Sequence, residues 1–129
     1  MPAGALHHLE LAATDLHKAL EFWRWFLGEL GYEPYEQWDG GESFLHGDFY
    51  VVLRQADTDE VFAEGRAGLH HLAFHARSLD HVDAITEGVR ERGLNVLYED
   101  RHPFAGGYYA LYCRDPEGIK VEVVAPDEG

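Results

Sequence analysis

Hydrophobic and polar residues alternate in two stretches of the chain that open with the same four residues. The sequence LHHL occurs at residue 6 and again at residue 69, an offset of 63 residues. Around it, residues 5–13 and 69–77 follow the period-two pattern of a strand with one buried face. An internal repeat explains both observations, and it predicts two copies of one structural unit.

A helix is predicted after each of these strands. Asp15 and Ser78 are suitable N-cap residues, and Gly31 and Gly93 lie where a left-handed residue ends a helix. Between the caps, apolar residues recur at the spacing of a helix: Leu16, Leu20, Trp23, Leu27 and Leu30 in the first copy, and Leu79, Val82, Ile85 and Val89 in the second.

Three short strands are predicted after each helix, separated by turn sequences such as DPEG at residue 115. The pattern therefore predicts an α+β fold made of two βαβββ modules in a single domain, 1–129. Module one covers about 5–56, a polar linker covers 57–67, and module two covers 68–125. The predicted strands that follow the helices are 33–38, 42–46, 49–55, 95–100, 107–113 and 119–124.

Charge and composition narrow the class of protein. The formal charge of −14, from 24 acidic residues against 10 Lys plus Arg, argues against nucleic acid and anionic membranes as partners. No apolar run is long enough to span a bilayer, and the N-terminus lacks the layout of a signal peptide. The single cysteine, Cys113, has no partner for an internal disulfide. We expect a cytoplasmic protein.

Three segments of the chain resemble the vicinal oxygen chelate superfamily. They are LHHLELAATDLHKALEFWRWFLGELGYE, GLHHLAF and YYALYCRDPEGIKVEVV. The superfamily includes glyoxalase I, extradiol dioxygenases, fosfomycin-resistance thiol transferases and bleomycin-binding proteins. The resemblance covers almost the whole chain. It implies an open eight-stranded half-barrel around a metal cavity, and a homodimer.

The resemblance also implies a metal site. On an alternating strand His7 and His8 point to opposite faces, so only one histidine of each repeated pair can face the cavity. The superfamily pattern assigns the metal ligands to His8, His71 and Glu122, and leaves structural roles to His7 and His70. Two imidazoles and one carboxylate leave coordination positions open for substrate oxygens, and they allow Mn, Fe, Co, Ni or Zn.

One departure from the pattern bears on the reaction. Four-ligand members such as glyoxalase I carry a second acidic ligand on the last strand of the first module, but residues 49–54 contain no carboxylate. The equivalent position is Val52, or Val51 if the alignment shifts. Standard glyoxalase I activity is therefore not expected. Glu10, on the same face as His8, is the nearest acidic substitute.

Further residues are predicted to line the pocket. Tyr50, Val52 and Arg54 share one face of their strand, and Arg54 is either a contact for an anionic group or a surface charge. Tyr109, or its neighbour Tyr108, has the corresponding place in module two. His75 shares the face of His71, and together with Glu122 it is the predicted carrier of protons. The segment 99–107 is predicted to form a loop over the cavity, with Arg101 and His102 as substrate contacts.

Two classes of function follow. The first is a metal-dependent lyase, isomerase, thiol transferase or dioxygenase that acts on a small oxygen-chelating substrate. The alternative is a non-catalytic protein that sequesters an antibiotic, which the many aromatic residues would suit. The predicted His, His, Glu set favours the enzyme. Aromatic residues almost surround the first helix at Phe22, Trp23, Trp25 and Phe26, which indicates either an interface or core packing.

Overall fold

The computed structural model describes residues 2–127, in which the chain forms two compact units that divide between Val61 and Phe62. The described residues contain two helices and seven strands, so the predicted mixed α+β class is confirmed. Neither helix in this part of the chain is long and apolar enough to cross a membrane. In chain order the elements are β1 (His8–Ala13), α1 (Leu16–Glu29), β2 (Glu33–Trp38), β3 (Gly41–His46), β4 (Phe49–Gln55), β5 (Leu72–His75), α2 (Leu79–Glu91), β6 (Ala110–Arg114) and β7 (Lys120–Val124).

The first unit is a four-stranded sheet in the order β1-β4-β3-β2, covered on one face by α1. β1 runs parallel to β4, and the other neighbours are antiparallel. Because side chains alternate along a strand, the helix face of this sheet holds the buried core: Leu11, Ala13, Phe44, Val51 and Leu53. The opposite face carries His8 and its partners on β4.

Both ends of α1 follow from its sequence. The Asp15 carboxylate accepts a hydrogen bond from the backbone N–H of Lys18 at 3.1 Å, which satisfies a free donor of the first turn. The helix ends before Gly31, whose φ of +93° favours glycine. Phe22, Trp23 and Phe26 are buried within the single chain and contact one another with centroid distances of 5.1–5.7 Å. Their burial therefore does not require a second chain.

The second unit is a three-stranded sheet in the order β5-β7-β6, with α2 on one face. Ser78 caps α2 by accepting from the backbone N–H of His81, and Gly93 follows the helix with φ +73°. β5 runs parallel to β7, as β1 does to β4, so the repeat is preserved in the pairing of strands. The buried core is formed by Val82, Ile85, Val89, Leu111, Val121 and Val123.

The strand predicted at 95–100 does not form. Val96 alone pairs with Cys113, as an isolated bridge. Tyr98 then adopts φ +56°, and its carbonyl accepts from the N–H groups of Arg101 and His102 at 2.9 Å, so the chain turns. The described residues thus contain seven strands instead of the predicted eight, and the open half-barrel around a metal cavity stays a prediction. The strands predicted at 69–77 and 107–113 are shorter in the structure, where they cover 72–75 and 110–114.

Candidate metal centre

A buried carboxylate lies at the centre of the second unit. Glu122 is in the middle of β7 and is 1% exposed. Its Oε1 lies 3.0 Å from Nε2 of His71, which immediately precedes β5. Its Oε2 is buried, and among the described residues it has no hydrogen-bond partner. A buried carboxylate oxygen without a partner is energetically costly, so a cation or a hydrogen-bond donor is needed at this point.

The pair of His71 and Glu122 fits a divalent metal ion. Imidazole nitrogen and carboxylate oxygen are ligands of first-row metals, and each binds at about 2.1 Å. Two such ligands at right angles around one ion lie about 3 Å apart, and the observed separation of Nε2 and Oε1 is 3.0 Å. The orphaned Oε2 is a further oxygen that a cation would satisfy. The donor atoms present therefore suit a metal of the Mn to Zn series.

His8, the third predicted ligand, lies in the first unit at the start of β1. Its ring stacks on Tyr50 with centroids 4.7 Å apart and planes inclined by 5°, and its Nδ1 is 2.9 Å from Nδ1 of His7. The Nε2 atom has no hydrogen-bond partner within residues 2–127. No group of three His, Cys, Asp or Glu side chains that could hold a metal occurs in that range. The structure thus brings His71 and Glu122 together and places His8 in the other unit.

The strand register identifies the first-unit equivalent of Glu122. Ala73 pairs with Glu122 in the second unit, and Glu10, which has the same place in the repeat as Ala73, pairs with Val52. Val51 is on the helix face, opposite Leu9. The equivalent position is therefore Val52, which is 4% exposed, and the first unit presents an apolar side chain where the second presents a carboxylate.

Two tyrosines flank the carboxylate of Glu122. Tyr112 on β6 is paired with Glu122 across the sheet, and its ring centroid lies 6.1 Å from that of His71. Burial and the carboxylate raise the pKa of Tyr112, and interaction with the carboxylate raises the pKa of Tyr108. Both phenols therefore keep their protons at neutral pH. The backbone at Gly106 is so close to the Tyr112 hydroxyl that a β-carbon there would force one of the two to shift, so loop 99–107 packs against this ring.

Tyr112 was not among the residues predicted from the sequence, although a signal for it exists. The DPEG turn joins β6 and β7, and Arg114 pairs with Lys120 across it. Counting outward by two residues on each strand reaches Tyr112 and Glu122. The register of a hairpin with a recognised turn therefore predicts the contact.

The remaining second-unit residues have distinct environments. The Tyr109 hydroxyl donates to Asp83 of α2, which raises its pKa to about 12, so Tyr108 is the neighbour beside Glu122. His75 is exposed at the end of β5, two residue pairs beyond Ala73. Burial raises the pKa of the Cys113 thiol to about 12, which agrees with a structural strand residue.

The predicted substrate contacts with basic side chains are Arg54 in the first unit and Arg101 and His102 in the second. Arg54 is exposed on β4, on the face that carries Tyr50. Arg101 stacks over the Tyr98 ring with its guanidinium carbon 5.1 Å from the centroid. Burial and, to a smaller extent, the nearby Arg90 lower the pKa of His102. His102 is therefore uncharged at neutral pH, and the loop presents one permanent positive charge at Arg101.

A second cation missed by the sequence analysis is Lys120. It is 7% exposed on β7, two residues before Glu122, so the two side chains share a face. Its ammonium donates to the Tyr98 hydroxyl at 3.0 Å and is 4.0 Å from Glu64. A nearly buried positive charge therefore lies on the face of β7 that carries the Glu122 carboxylate.

The mixed α+β fold of the chain agrees with comparison to known proteins. The family described as the Glyoxalase/Bleomycin resistance protein/Dioxygenase superfamily matches residues 5–123, and the chain belongs to it. The chain is 51% identical to protein YqjT of Bacillus subtilis (strain 168), over 94% of this chain and 98% of YqjT.

Solved structures agree with this assignment. A candidate glyoxalase from Bacillus halodurans is 50% identical, with a TM-score of 0.92 over 96% of this chain and 97% of that one. A point mutant of the fosfomycin resistance protein FosX from Listeria monocytogenes, solved with Mn(II) and 1S,2S-dihydroxypropylphosphonic acid, shares the fold. It is 21% identical, with a TM-score of 0.72 over 98% of this chain and 94% of that one.

Proposed function

We propose that the protein is a metal-dependent enzyme that acts on a small substrate with two neighbouring oxygen atoms, and that His8, His71 and Glu122 hold its divalent metal. The observation that carries the proposal is the environment of Glu122. One oxygen of this buried carboxylate faces an imidazole nitrogen at 3.0 Å, while the other has no partner among the described residues. A purely structural role would leave this second oxygen poorly satisfied.

The chain's own groups suit oxygen chemistry at this site. A divalent ion bound there would supply Lewis-acid chemistry by polarising two oxygens of the substrate. Tyr108 and Tyr112 keep their protons and so can donate hydrogen bonds to a substrate oxygen. The Oε2 atom of Glu122 can accept a proton from the substrate, and His75 is the second predicted proton carrier. Loop 99–107 contacts the hydroxyl of Tyr112 through Gly106, next to these groups.

The type of reaction is narrowed by Val52 and by a structural relative. Because Val52 is the equivalent of Glu122, a four-ligand site of the glyoxalase I kind is not proposed. FosX has been solved with Mn(II) and a ligand that carries two adjacent hydroxyl groups. This supports Mn(II) as the first metal to test, with Fe, Co, Ni and Zn as alternatives, and a substrate that chelates through adjacent oxygens.

The second candidate function is sequestration of a flat aromatic molecule without catalysis. Its support is a set of aromatic rings in the first unit. Tyr35 and Trp38 are 50% and 47% exposed, and Tyr35 contacts Tyr50, which in turn stacks on His8. Such rings could hold a planar ligand by stacking. This function needs no metal, so metal analysis separates the two candidates.

The proposal is tested by elemental analysis of protein purified without chelators and then reconstituted with Mn(II). We expect close to one metal ion per chain in the wild type. In His8→Ala, His71→Ala and Glu122→Ala the metal content should fall at least about tenfold, because each change removes one of three ligands. Metal-loaded protein is then screened with diol, dicarbonyl and thiol-transfer substrates.

His46→Ala is the matched control, since His46 is an exposed histidine at the end of β3 whose ring contacts Tyr32 instead. It should retain the wild-type metal content. A wild-type protein that binds no metal from Mn to Zn after reconstitution would contradict the enzyme and favour the sequestering function. The proposal further includes a homodimer, which the family resemblance implies, and a cytoplasmic location, which the single cysteine favours.

A further inference from the structure

Each predicted ligand histidine is preceded by another histidine that contacts it through one defined atom. His70 Nδ1 lies 2.8 Å from His71 Nδ1, and His7 Nδ1 lies 2.9 Å from His8 Nδ1. The ring centroids are 5.0 and 5.1 Å apart, at steep angles of 71° and 79°. The same geometry therefore occurs in both units, at equivalent places of the repeat.

Two imidazole nitrogens at this distance must share one hydrogen, with one donating and the other accepting. A neutral imidazole that binds a metal through Nε2 carries its proton on Nδ1, because its two nitrogens cannot both be unprotonated. In the metal-binding form, His71 Nδ1–H therefore donates to Nδ1 of His70. His70 is then the acceptor that keeps the lone pair of His71 Nε2 directed at the position beside Glu122 Oε1.

In the first unit the ligand histidine, His8, is held both by its preceding histidine and by a stacked tyrosine. The hydrogen bond between the two rings uses Nδ1 of His8. The Nε2 atom of His8 has no partner in the described part of the chain. Tyr50 packs flat against the His8 ring, whereas His71 has no stacked aromatic partner among residues 2–127, since its contact with Tyr112 is tilted at 6.1 Å. The orientation of His71 thus depends more on its preceding histidine than the orientation of His8 does.

We infer that His7 and His70 are positioning residues that hold the metal-binding histidines by accepting a hydrogen bond from Nδ1–H. This inference rests on the proposed metal site. Hydrogen-bond partners of this kind fix the tautomer and orientation of a ligand histidine, and their loss lowers metal affinity by about 10- to 100-fold. Because the His70–His71 pair is solvent-exposed, water can replace part of the lost bond, and we expect an effect of about tenfold.

The test measures Mn(II) affinity by EPR titration of the free ion, in the full-length protein. His70→Phe keeps an aromatic ring but removes the acceptor, so it should weaken Mn(II) binding about tenfold. His70→Asn places an amide oxygen at the position of Nδ1 and should restore affinity close to the wild-type value.

His7→Phe should have a smaller effect than His70→Phe because Tyr50 also holds His8. His17→Phe, on the exposed side of α1 where it pairs with Glu21, is the matched control and should change nothing.

The outcomes separate this inference from the proposed function. Wild-type protein that binds no Mn(II) overturns both. Wild-type binding with an unchanged His70→Phe affinity overturns the inference alone, as does a His70→Asn variant as weak as His70→Phe. Thermal unfolding of the metal-free variants should match that of the wild type, since an exposed positioning residue does not hold the fold. A large loss of stability in His70→Phe would assign His70 to the fold and overturn its positioning role.

Discussion

The two units contain two buried carboxylates with opposite surroundings. On the helix side of the first sheet, Glu42 accepts hydrogen bonds from Arg24 Nε, Arg24 Nη2 and Gln37 Nε2 at 2.9, 2.5 and 2.7 Å. On the open side of the second sheet, Glu122 is more deeply buried. His71, Tyr108 and Tyr112 interact with it, yet its Oε2 has no hydrogen-bond partner among the described residues. The first carboxylate is satisfied by the fold, whereas the second is available to a ligand.

The repeat makes the same contrast visible at equivalent positions. Both units place a histidine next to the strand that runs parallel to its own, but the residue at the equivalent place on that neighbouring strand is Val52 in the first unit and Glu122 in the second. The first histidine is supported by a stacked tyrosine, and the second is next to a carboxylate. One strand pairing can therefore present an imidazole in two chemical settings, and the facing strand decides which.

The largest expected effect comes from placing a carboxylate in the first unit. Val52→Glu buries a charge at a position that is 4% exposed, so the free energy of unfolding should fall by about 3 kcal/mol. Urea denaturation of the metal-free protein measures the change. Arg54→Glu, two residues along the same strand and exposed, is the control and should stay within about 0.5 kcal/mol of the wild type. Equal effects of the two changes would contradict the difference in burial.

A smaller effect of opposite sign in the two units is expected when the existing carboxylates are removed. Glu122→Met, which has a similar volume, should raise the stability of the metal-free protein by about 1 kcal/mol, since an incompletely satisfied buried charge is removed. Glu42→Met should lower stability by about 1–2 kcal/mol, because three hydrogen bonds are lost and the half-exposed Arg24 can only partly replace them with water. Chemical denaturation measures both. Destabilisation by Glu122→Met would show that the fold already satisfies this carboxylate.

The smallest expected effect is on the pH dependence of stability, through a contact in the second unit. The pKa of Tyr109 is raised to about 12 by its hydrogen bond to Asp83, from an ordinary value near 10. The folded state thus favours the protonated phenol, so its contribution to stability is complete below about pH 10 and is lost as pH rises to about 12. In Tyr109→Phe the decline of the thermal midpoint over this interval should be shallower than in the wild type. Identical slopes would rule out a contribution from this contact.

Much of the fold was predictable because its signals are local. Asp15 and Ser78 cap their helices as predicted, and β2 and β4 have the predicted bounds. These elements depend on capping chemistry and on alternation within one short segment. The strand predicted at 95–100 failed because Tyr98 takes a left-handed φ. A tyrosine there cannot be anticipated from propensity, since that conformation is normally left to glycine.

The contact between His71 and Glu122 was predictable because the repeat and the family pattern coincide there. The structure brings His71 and Glu122 within hydrogen-bonding distance, although they are 51 residues apart in sequence. Tyr112 was missed because its position depends on pairing across a hairpin. The adjacent tyrosines 108 and 109 were chosen as pocket residues instead. The hydroxyl of Tyr109 instead donates a hydrogen bond to Asp83 of α2. Alternation along a strand cannot predict such a contact with a helix.

The unpartnered oxygen of Glu122 has a consequence for how long the protein persists in a cell. If the proposed metal is bound at one hundred times its dissociation constant, the folded state gains about 2.7 kcal/mol over the metal-free chain. That gain lowers the unfolded population about a hundredfold, and it is the unfolded chain that proteases degrade. The turnover of the protein would then follow the supply of the metal, so that scarcity reduces its abundance as well as its occupancy.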